Sequence, residues 1–161
     1  MSGAFTTSAL ALTVMCLGGL AGPQGWQRVR AAGMEARLRT VGDELEVELR
    51  APTRGWVVVG FNDHDGLQGA RLFFARVVGD QVHAEAHVTD LSSPPPHHRR
   101  APGEIAVVHG SERDQGTTVR IRIPKRLHRA GPQPWLVLAY SDSDDFSHHS
   151  RRREHVRIRL Q

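Results

Sequence analysis

The run from Gly55 to Leu72, GWVVVGFNDHDGLQGARL, decides how the rest of the chain reads. Its first half is apolar on both faces, with Trp56, Val58 and Gly60 alternating with Val57, Val59 and Phe61. A short apolar run rich in β-branched and aromatic side chains, closed by turn residues, predicts a fully buried strand. Gly60 in mid-strand either admits a close neighbour or marks a bulge. Behind it, Asn62 to Gly69 is a polar loop carrying Asn62, Asp63, His64 and Asp65. A polar loop on an apolar scaffold is a common place for a site; it is equally the ordinary turn of a core strand.

Working outward, the chain keeps reading as strands. Glu44 to Arg50 alternates without a fault, Leu45, Val47 and Leu49 on one face and Glu44, Glu46, Glu48 and Arg50 on the other, which predicts a half-buried antiparallel strand. Met34 to Arg39 is a short candidate before it. Ala70 to Val78 is apolar on most of both faces, and Gln81 to Thr89 sets Val82, Ala84, Ala86 and Val88 inward with His83, Glu85 and His87 outward. Three consecutive prolines in Leu91 to Gly103 predict an extended surface loop without regular pairing. Glu104 to His109 resumes as a strand, Gly110 to Gly116 reads as a polar turn, and Thr117 to Pro124 alternates again. Lys125 to Gln133 is a basic connection with room for one helical turn. Trp135 to Tyr140 echoes the central strand, Asp142 to Arg153 is a second polar loop, and Val156, Ile158 and Leu160 end the chain in alternation with Arg157 and Arg159. Short strands, frequent turns and no amphipathic helix predict an all-β protein, a single antiparallel β-sandwich of about nine to eleven strands.

Composition bounds what such a domain does. The chain has 161 residues and a formal net charge of +4. Residues 1–21 carry no charged side chain, and Ala9 to Leu20 is almost continuously apolar. That run is too short to span a bilayer and fits the apolar region of a secretory signal cleaved after Ala21. Residues 22–33 then form a lead-in and 34–161 the sandwich domain, exported to the periplasm, the outer surface or the medium, with no membrane span after cleavage. Cys16 would be lost with the signal, so neither a disulfide nor covalent haem attachment through Cys-x-x-Cys-His is open to the mature chain. The arginines alternate along strands rather than cluster on a helix, which argues against nucleic acid as a partner.

The pieces GWVVVGFN, Gly66-Leu67-Gln68-Gly69-Ala70, Trp135 to Tyr140 and Ser141 to Arg152 with its His148-His149 pair occur in an order that resembles the DOMON domain. The resemblance covers Met34 to Leu160. It implies an extracytoplasmic β-sandwich that carries b-type haem, as the cytochrome domain of cellobiose dehydrogenase does, or that binds a sugar. In the haem-binding members one axial ligand is a Met in a Gly-Met-x-Gly-Ala-Asp pattern. Here Leu67 stands at the Met position and Arg71 at the Asp position, so Met ligation does not carry over. The other family ligand is a His in a Tyr-His-Gly-x-Arg type motif, and His148-His149-Ser150-Arg151-Arg152 aligns His149 with it, Ser150 replacing Gly.

Two functions follow from the resemblance. One is a ligand-binding module, cofactor-free, with a pocket between the 62–70 and 140–152 loops lined by Trp56, Phe61, Asn62, Phe74 and Tyr140, taking a sugar, another small ligand or a protein partner. The other is a haem b electron-transfer domain working with a redox partner. His149 would then be the axial ligand and the only metal-binding residue, His148 its neighbour, Leu67 or His64 on the far side of the iron, and Arg71 or Arg152 near a propionate. Adjacent residues of an extended chain point to opposite sides, so one of the His148-His149 pair is expected to enter the pocket. Other chemistry is weakly supported. His83 and His87 lie on one strand face but about 13 Å apart, His97-His98 sits in the proline loop, and no nucleophile elbow is present. The domain is expected to have no enzymatic activity of its own.

Overall fold

The computed structural model describes residues 25–160, so the segment read as a secretory signal lies outside the described residues. Two antiparallel sheets face each other. The first has five strands in the order β1-β2-β3-β9-β8: β1 (Gln27–Ala31), β2 (Met34–Val41), β3 (Glu44–Ala51), β9 (Gly116–Pro124) and β8 (Ala106–Arg113). The second has six in the order β11-β10-β4-β5-β6-β7: β11 (Arg152–Arg157), β10 (Trp135–Tyr140), β4 (Val57–Asn62), β5 (Arg71–Val78), β6 (Gln81–Thr89) and β7 (His98–Arg100). One short helix, α1 (Lys125–His128), joins β9 to β10. The expected β-sandwich is the fold found.

The alternation seen in the sequence sorts side chains between two apolar layers. From β3 and β9, Leu45, Val47, Leu49, Val119, Ile121 and Ile123 meet Val57, Val59, Phe61, Phe73, Leu136 and Leu138 of the other sheet. The opposite face of the six-stranded sheet carries a second apolar cluster, Trp56, Val58, Leu72, Phe74, Val137 and Ala139, joined by Phe146 from the loop after β10. This is why β4 is apolar on both faces: one side fills the sandwich, the other floors a separate layer. Gly60 serves that floor, since a Cβ there would lie 2.5 Å from Leu72 Cδ2 and 3.2 Å from Val137 Cβ. Its pairing with β5 and β10 is unbroken, so close approach and not a bulge explains the glycine.

The outer face of the five-stranded sheet is closed differently. Glu46 and Glu48 point outward as their alternation requires, yet both are buried. Arg39 binds Glu46 through Nε and Nη2 at 3.2 and 3.0 Å, Arg50 lies 2.9 Å from Glu48, and Arg120 also binds Glu48. The Trp26 ring lies under the guanidinium groups of Arg39, Arg120 and Arg37, 4.5 to 5.4 Å from its centroid. Carboxylates buried this way stay charged because several guanidinium groups surround them.

Three boundaries differ from the sequence reading. The lead-in contains β1, which pairs with β2 from Gln27↔Leu38 to Ala31↔Met34; QRVRA is too short and too basic to announce itself. The proline loop ends in β7, which hydrogen-bonds to the edge of β6. The segment 110–113 continues β8 rather than turning, with an irregularity in register between Val107 and His109.

A buried histidine gives the core a pH dependence. His128 packs against Phe61 with ring centroids 5.7 Å apart, and its Nδ1 accepts the Ala130 N–H at 3.0 Å. Burial pushes its imidazole below the ordinary value, and Lys125 adds to the effect. The unfolded chain, with its histidine near about 6.5, therefore takes up a proton that the folded chain resists. Stability contributed this way is full above that value and lost as pH falls. The urea midpoint is expected to drop between about pH 7.5 and about pH 5.5, and His128→Asn, whose amide oxygen can accept the same N–H, should flatten part of that drop. An unchanged pH slope in the variant would exclude His128 as the source.

Candidate functional site

A cavity of about 340 Å³ lies over the outer face of the six-stranded sheet. Its floor is the second apolar layer: Trp56 and Val58, Leu72 and Phe74, Val137 and Ala139. Three connecting segments wall it in: Leu67 from the loop after β4, Leu91 and Pro95 to His98 from the loop into β7, and Ser147 to Ser150 from the loop before β11, where Arg153 follows. A larger groove, about 700 Å³, runs beside β1, β2 and β9, but Arg30, Glu35, Arg50, Arg113 and Glu154 border it and it lacks an apolar floor. The smaller cavity has the apolar lining with a few convergent polar groups that small-molecule sites use.

Local hydrogen bonds hold the walls. Asn62 Nδ2 donates to the carbonyls of Gly66 at 2.8 Å and Gln68 at 3.1 Å, shaping the first loop. Gln68 Oε1 in turn accepts the Leu91 N–H at 2.7 Å, which ties the first wall to the second. Asp90 accepts from the N–H and Oγ of Ser92 and from Ser93 Oγ, and these bonds hold its carboxyl at about 2. In the third wall Asp145 accepts from Ser147 N and Oγ at 2.8 and 2.7 Å, which lowers its carboxyl as well. Phe146, between them, drops onto Phe74 with centroids 5.4 Å apart.

Of the residues picked out in the sequence, the cavity gathers Trp56, Phe74, Leu67, His148 and His149. Both histidines border it: His148 N–H bonds back to the Asp145 carbonyl at 2.9 Å, so the pair sits on a turn and strict alternation does not apply. Phe61 and Tyr140 belong to the layer between the sheets, and Asn62 shapes the loop without lining the cavity. His64 is exposed, with Nδ1 2.6 Å from Asp63 Oδ1 and Nε2 3.4 Å from Asn62 Nδ2. Arg71 borders a different depression beside His128 and Arg157. Arg152 lies by Gly33, where a Cβ would come 3.3 Å from its Nη1, and its neighbour Arg153 reaches the cavity instead.

Sequence reasoning missed the second wall. Proline-rich composition signals irregular backbone but not what that backbone covers. It also missed a pair of histidines. His87 on β6 and His98 on β7 approach with Nδ1 to Nδ1 at 2.8 Å, and His98 stacks on Phe74 with centroids 5.0 Å apart. They are diagonal neighbours across the β6–β7 pairing, where His87 registers with Arg100 and Thr89 with His98, a separation that long side chains bridge. Burial pushes both imidazoles below the ordinary histidine value. Among the described residues, no three His, Cys, Asp or Glu side chains converge as a metal-binding group.

Two buried polar atoms in the floor and wall lack a partner among the described residues: Trp56 Nε1 and Thr89 Oγ1. Buried polar atoms are nearly always hydrogen-bonded, and both residues line the cavity.

Comparison with known proteins gives a fold and no closer relative: no family model and no curated protein matches the chain. Among solved structures, the cytochrome domain of Myriococcum thermophilum cellobiose dehydrogenase superposes with a TM-score of 0.58 over 84% of this chain and 82% of that one, at 11% sequence identity. The architecture is DOMON-like.

Proposed function

We propose that the protein is an exported binding module, without catalysis of its own, that holds a compact, flat, largely apolar ligand in the cavity over the six-stranded sheet. The unpartnered Trp56 Nε1–H and Thr89 hydroxyl in that cavity carry the reading. An apolar floor provides binding energy by burial, and a ligand with a hydrogen-bond acceptor would satisfy the indole N–H that the protein leaves unmet. His97, His148, His149 and Arg153 at the rim suit a ligand with an anionic or hydrogen-bonding edge. Support for export is the uncharged apolar run of residues 1–21. No helix among the described residues is long and apolar enough to cross a membrane.

A probe experiment tests this. An anilinonaphthalene sulfonate dye has the stated chemistry, a flat apolar body and an anionic edge, and one molecule is expected to bind per chain with a blue-shifted emission. Ala139 is buried in the cavity floor, and Ala139→Phe should fill the space and cut dye affinity at least tenfold with the circular dichroism unchanged. Equal binding to the folded variant would remove the cavity as the site.

Haem b is the second reading, favoured because Leu67 and His149 border one cavity in a fold shared with a cytochrome domain. The donor set fits one imidazole bond to iron, from His149, beside flat walls at Trp56 and Phe74 and an Arg153 guanidinium for a carboxylate. Leu67 offers no lone pair, so a bound haem would supply one-electron chemistry with its far side open. A cavity of about 340 Å³ is near the lower end for small-molecule sites, so the loop walls would have to part for a porphyrin. Titration with hemin should give a Soret shift that His149→Ala abolishes and that Leu67→Met converts to a low-spin spectrum. Titration of wild type without any such shift leaves the compact-ligand reading.

A further inference from the structure

Two acceptors flank the His87–His98 pair. His87 Nε2 lies 3.1 Å from Glu85 Oε2, a carboxylate oxygen that only accepts while ionised, so this nitrogen carries a hydrogen. His98 also hydrogen-bonds to the backbone of Phe146. Its Nδ1 already faces His87, so the bond to a carbonyl places a hydrogen on its other nitrogen. Each ring is thereby fixed in the tautomer that leaves Nδ1 with a bare lone pair, and those two lone pairs face each other at 2.8 Å. Two lone pairs do not hold that distance without a cation between them.

We infer that His87 and His98 are the two protein ligands of a borderline transition-metal ion at the wall of the cavity, with the remaining coordination positions open to a ligand from the cavity side. A carboxylate on one ligating histidine and a backbone carbonyl on the other is the usual outer arrangement of such ions, since it fixes the tautomer and raises the basicity of the bonding nitrogen. The spacing is close to what coordination needs: bonds of about 2.0–2.1 Å at a tetrahedral angle put two nitrogens about 3.3 Å apart, reached from 2.8 Å by a small opening of the pair. Burial, which keeps both imidazoles neutral, preserves the form that binds metal. Imidazole donors suit zinc, copper and nickel, and at equal geometry copper(II) binds most tightly. His98 itself lines the cavity, so a ligand there can reach the ion. The inference does not depend on the apolar-ligand reading, because neither the dye nor Ala139 takes part in it.

Copper(II) and zinc(II) are the probes, titrated into the full mature chain against a chromophoric chelator. One tight equivalent is expected, with electron paramagnetic resonance of the copper form showing coupling to two nitrogens. His98→Gln, on the short edge strand, should weaken binding at least 100-fold, and His87→Gln likewise where the far-ultraviolet spectrum shows it folded. Glu85→Gln should cost about 10–100-fold, while exposed His109→Gln changes nothing. Nitrogen-15 spectra of the wild type with zinc should shift both Nδ1 signals and neither Nε2 signal. If His98→Gln binds as tightly as wild type, or if the metal-free Nδ1 signals show one shared proton and zinc leaves them unmoved, the pair is a proton clamp and the metal site is overturned.

Discussion

Replacing Trp56 with alanine is expected to lower the unfolding free energy by about 3–5 kcal/mol, the usual loss for a large buried aromatic. The ring is 3% exposed, meets Phe74 edge-on with centroids 5.0 Å apart and floors the cavity. Such a loss is a large share of a typical domain's stability, so the variant should show a clear drop in urea midpoint with little change in slope. Trp56→Phe separates packing from hydrogen bonding. It keeps most of the apolar volume and removes an indole N–H that bonds to nothing in the free protein, so its stability should lie near wild type while ligand affinity falls. A Trp56→Ala midpoint close to wild type would mean the ring is not held as described.

Gly55→Ala should be nearly as damaging, for a backbone reason. A Cβ at Gly55 would sit 2.3 Å from the Ser141 carbonyl oxygen, 2.6 Å from Ser143 N and 2.7 Å from Asp142 C. No side-chain rotation relieves contacts with main chain. The junction is also dense in hydrogen bonds: Thr53 Oγ1 donates to the Ser141 carbonyl at 2.6 Å, Gly55 N–H donates to Thr53 Oγ1 at 3.1 Å, and Trp56 N–H donates to the Ser143 carbonyl at 3.0 Å. Overpacking of this kind costs about 1–3 kcal/mol and sometimes more; with three backbone contacts the upper end is expected, about 3 kcal/mol. The segment pushed away leads directly to Phe146, so dye binding should weaken together with stability. A Gly55→Ala protein with wild-type midpoint and affinity would show that the junction yields freely.

Alternation made much of this fold legible. Glu44 to Arg50, Gln81 to Thr89 and Trp135 to Tyr140 lie where their periodicity put them, because each buries one face against a layer that the same pattern builds. The two apolar faces of β4 were visible too, and they implied a second covered layer, although nothing local said what covered it. Phe61 and Tyr140 stood beside the expected pocket in sequence and face the inter-sheet core in space, since a shift of one residue along a strand changes the side of the sheet. His87 and His98 were not legible as a pair. Their meeting depends on β7 returning to the edge of β6 after a proline loop, and no pattern in HRR marks a strand. Glu46 and Glu48 alternate as solvent-facing residues, and their burial comes from arginines on neighbouring strands and from Trp26, relations of register rather than of sequence.

The irregular register of β8 bears on how the molecule behaves when crowded. Sheet edges are templates on which other chains can polymerise. Three of the four edges resist this by charge: β1 carries Arg28 and Arg30, β7 Arg99 and Arg100, β11 Arg152, Arg153 and Arg157. The fourth, β8, exposes Val107 and Val108 side by side, the composition that aggregating segments share. Its break in register falls between Val107 and His109, within that apolar pair. A kinked strand cannot offer an incoming chain an unbroken row of donors and acceptors. The kink thus does for β8 what arginine does for the other three edges, and it keeps a concentrated solution of the protein from seeding fibrils through its least charged border.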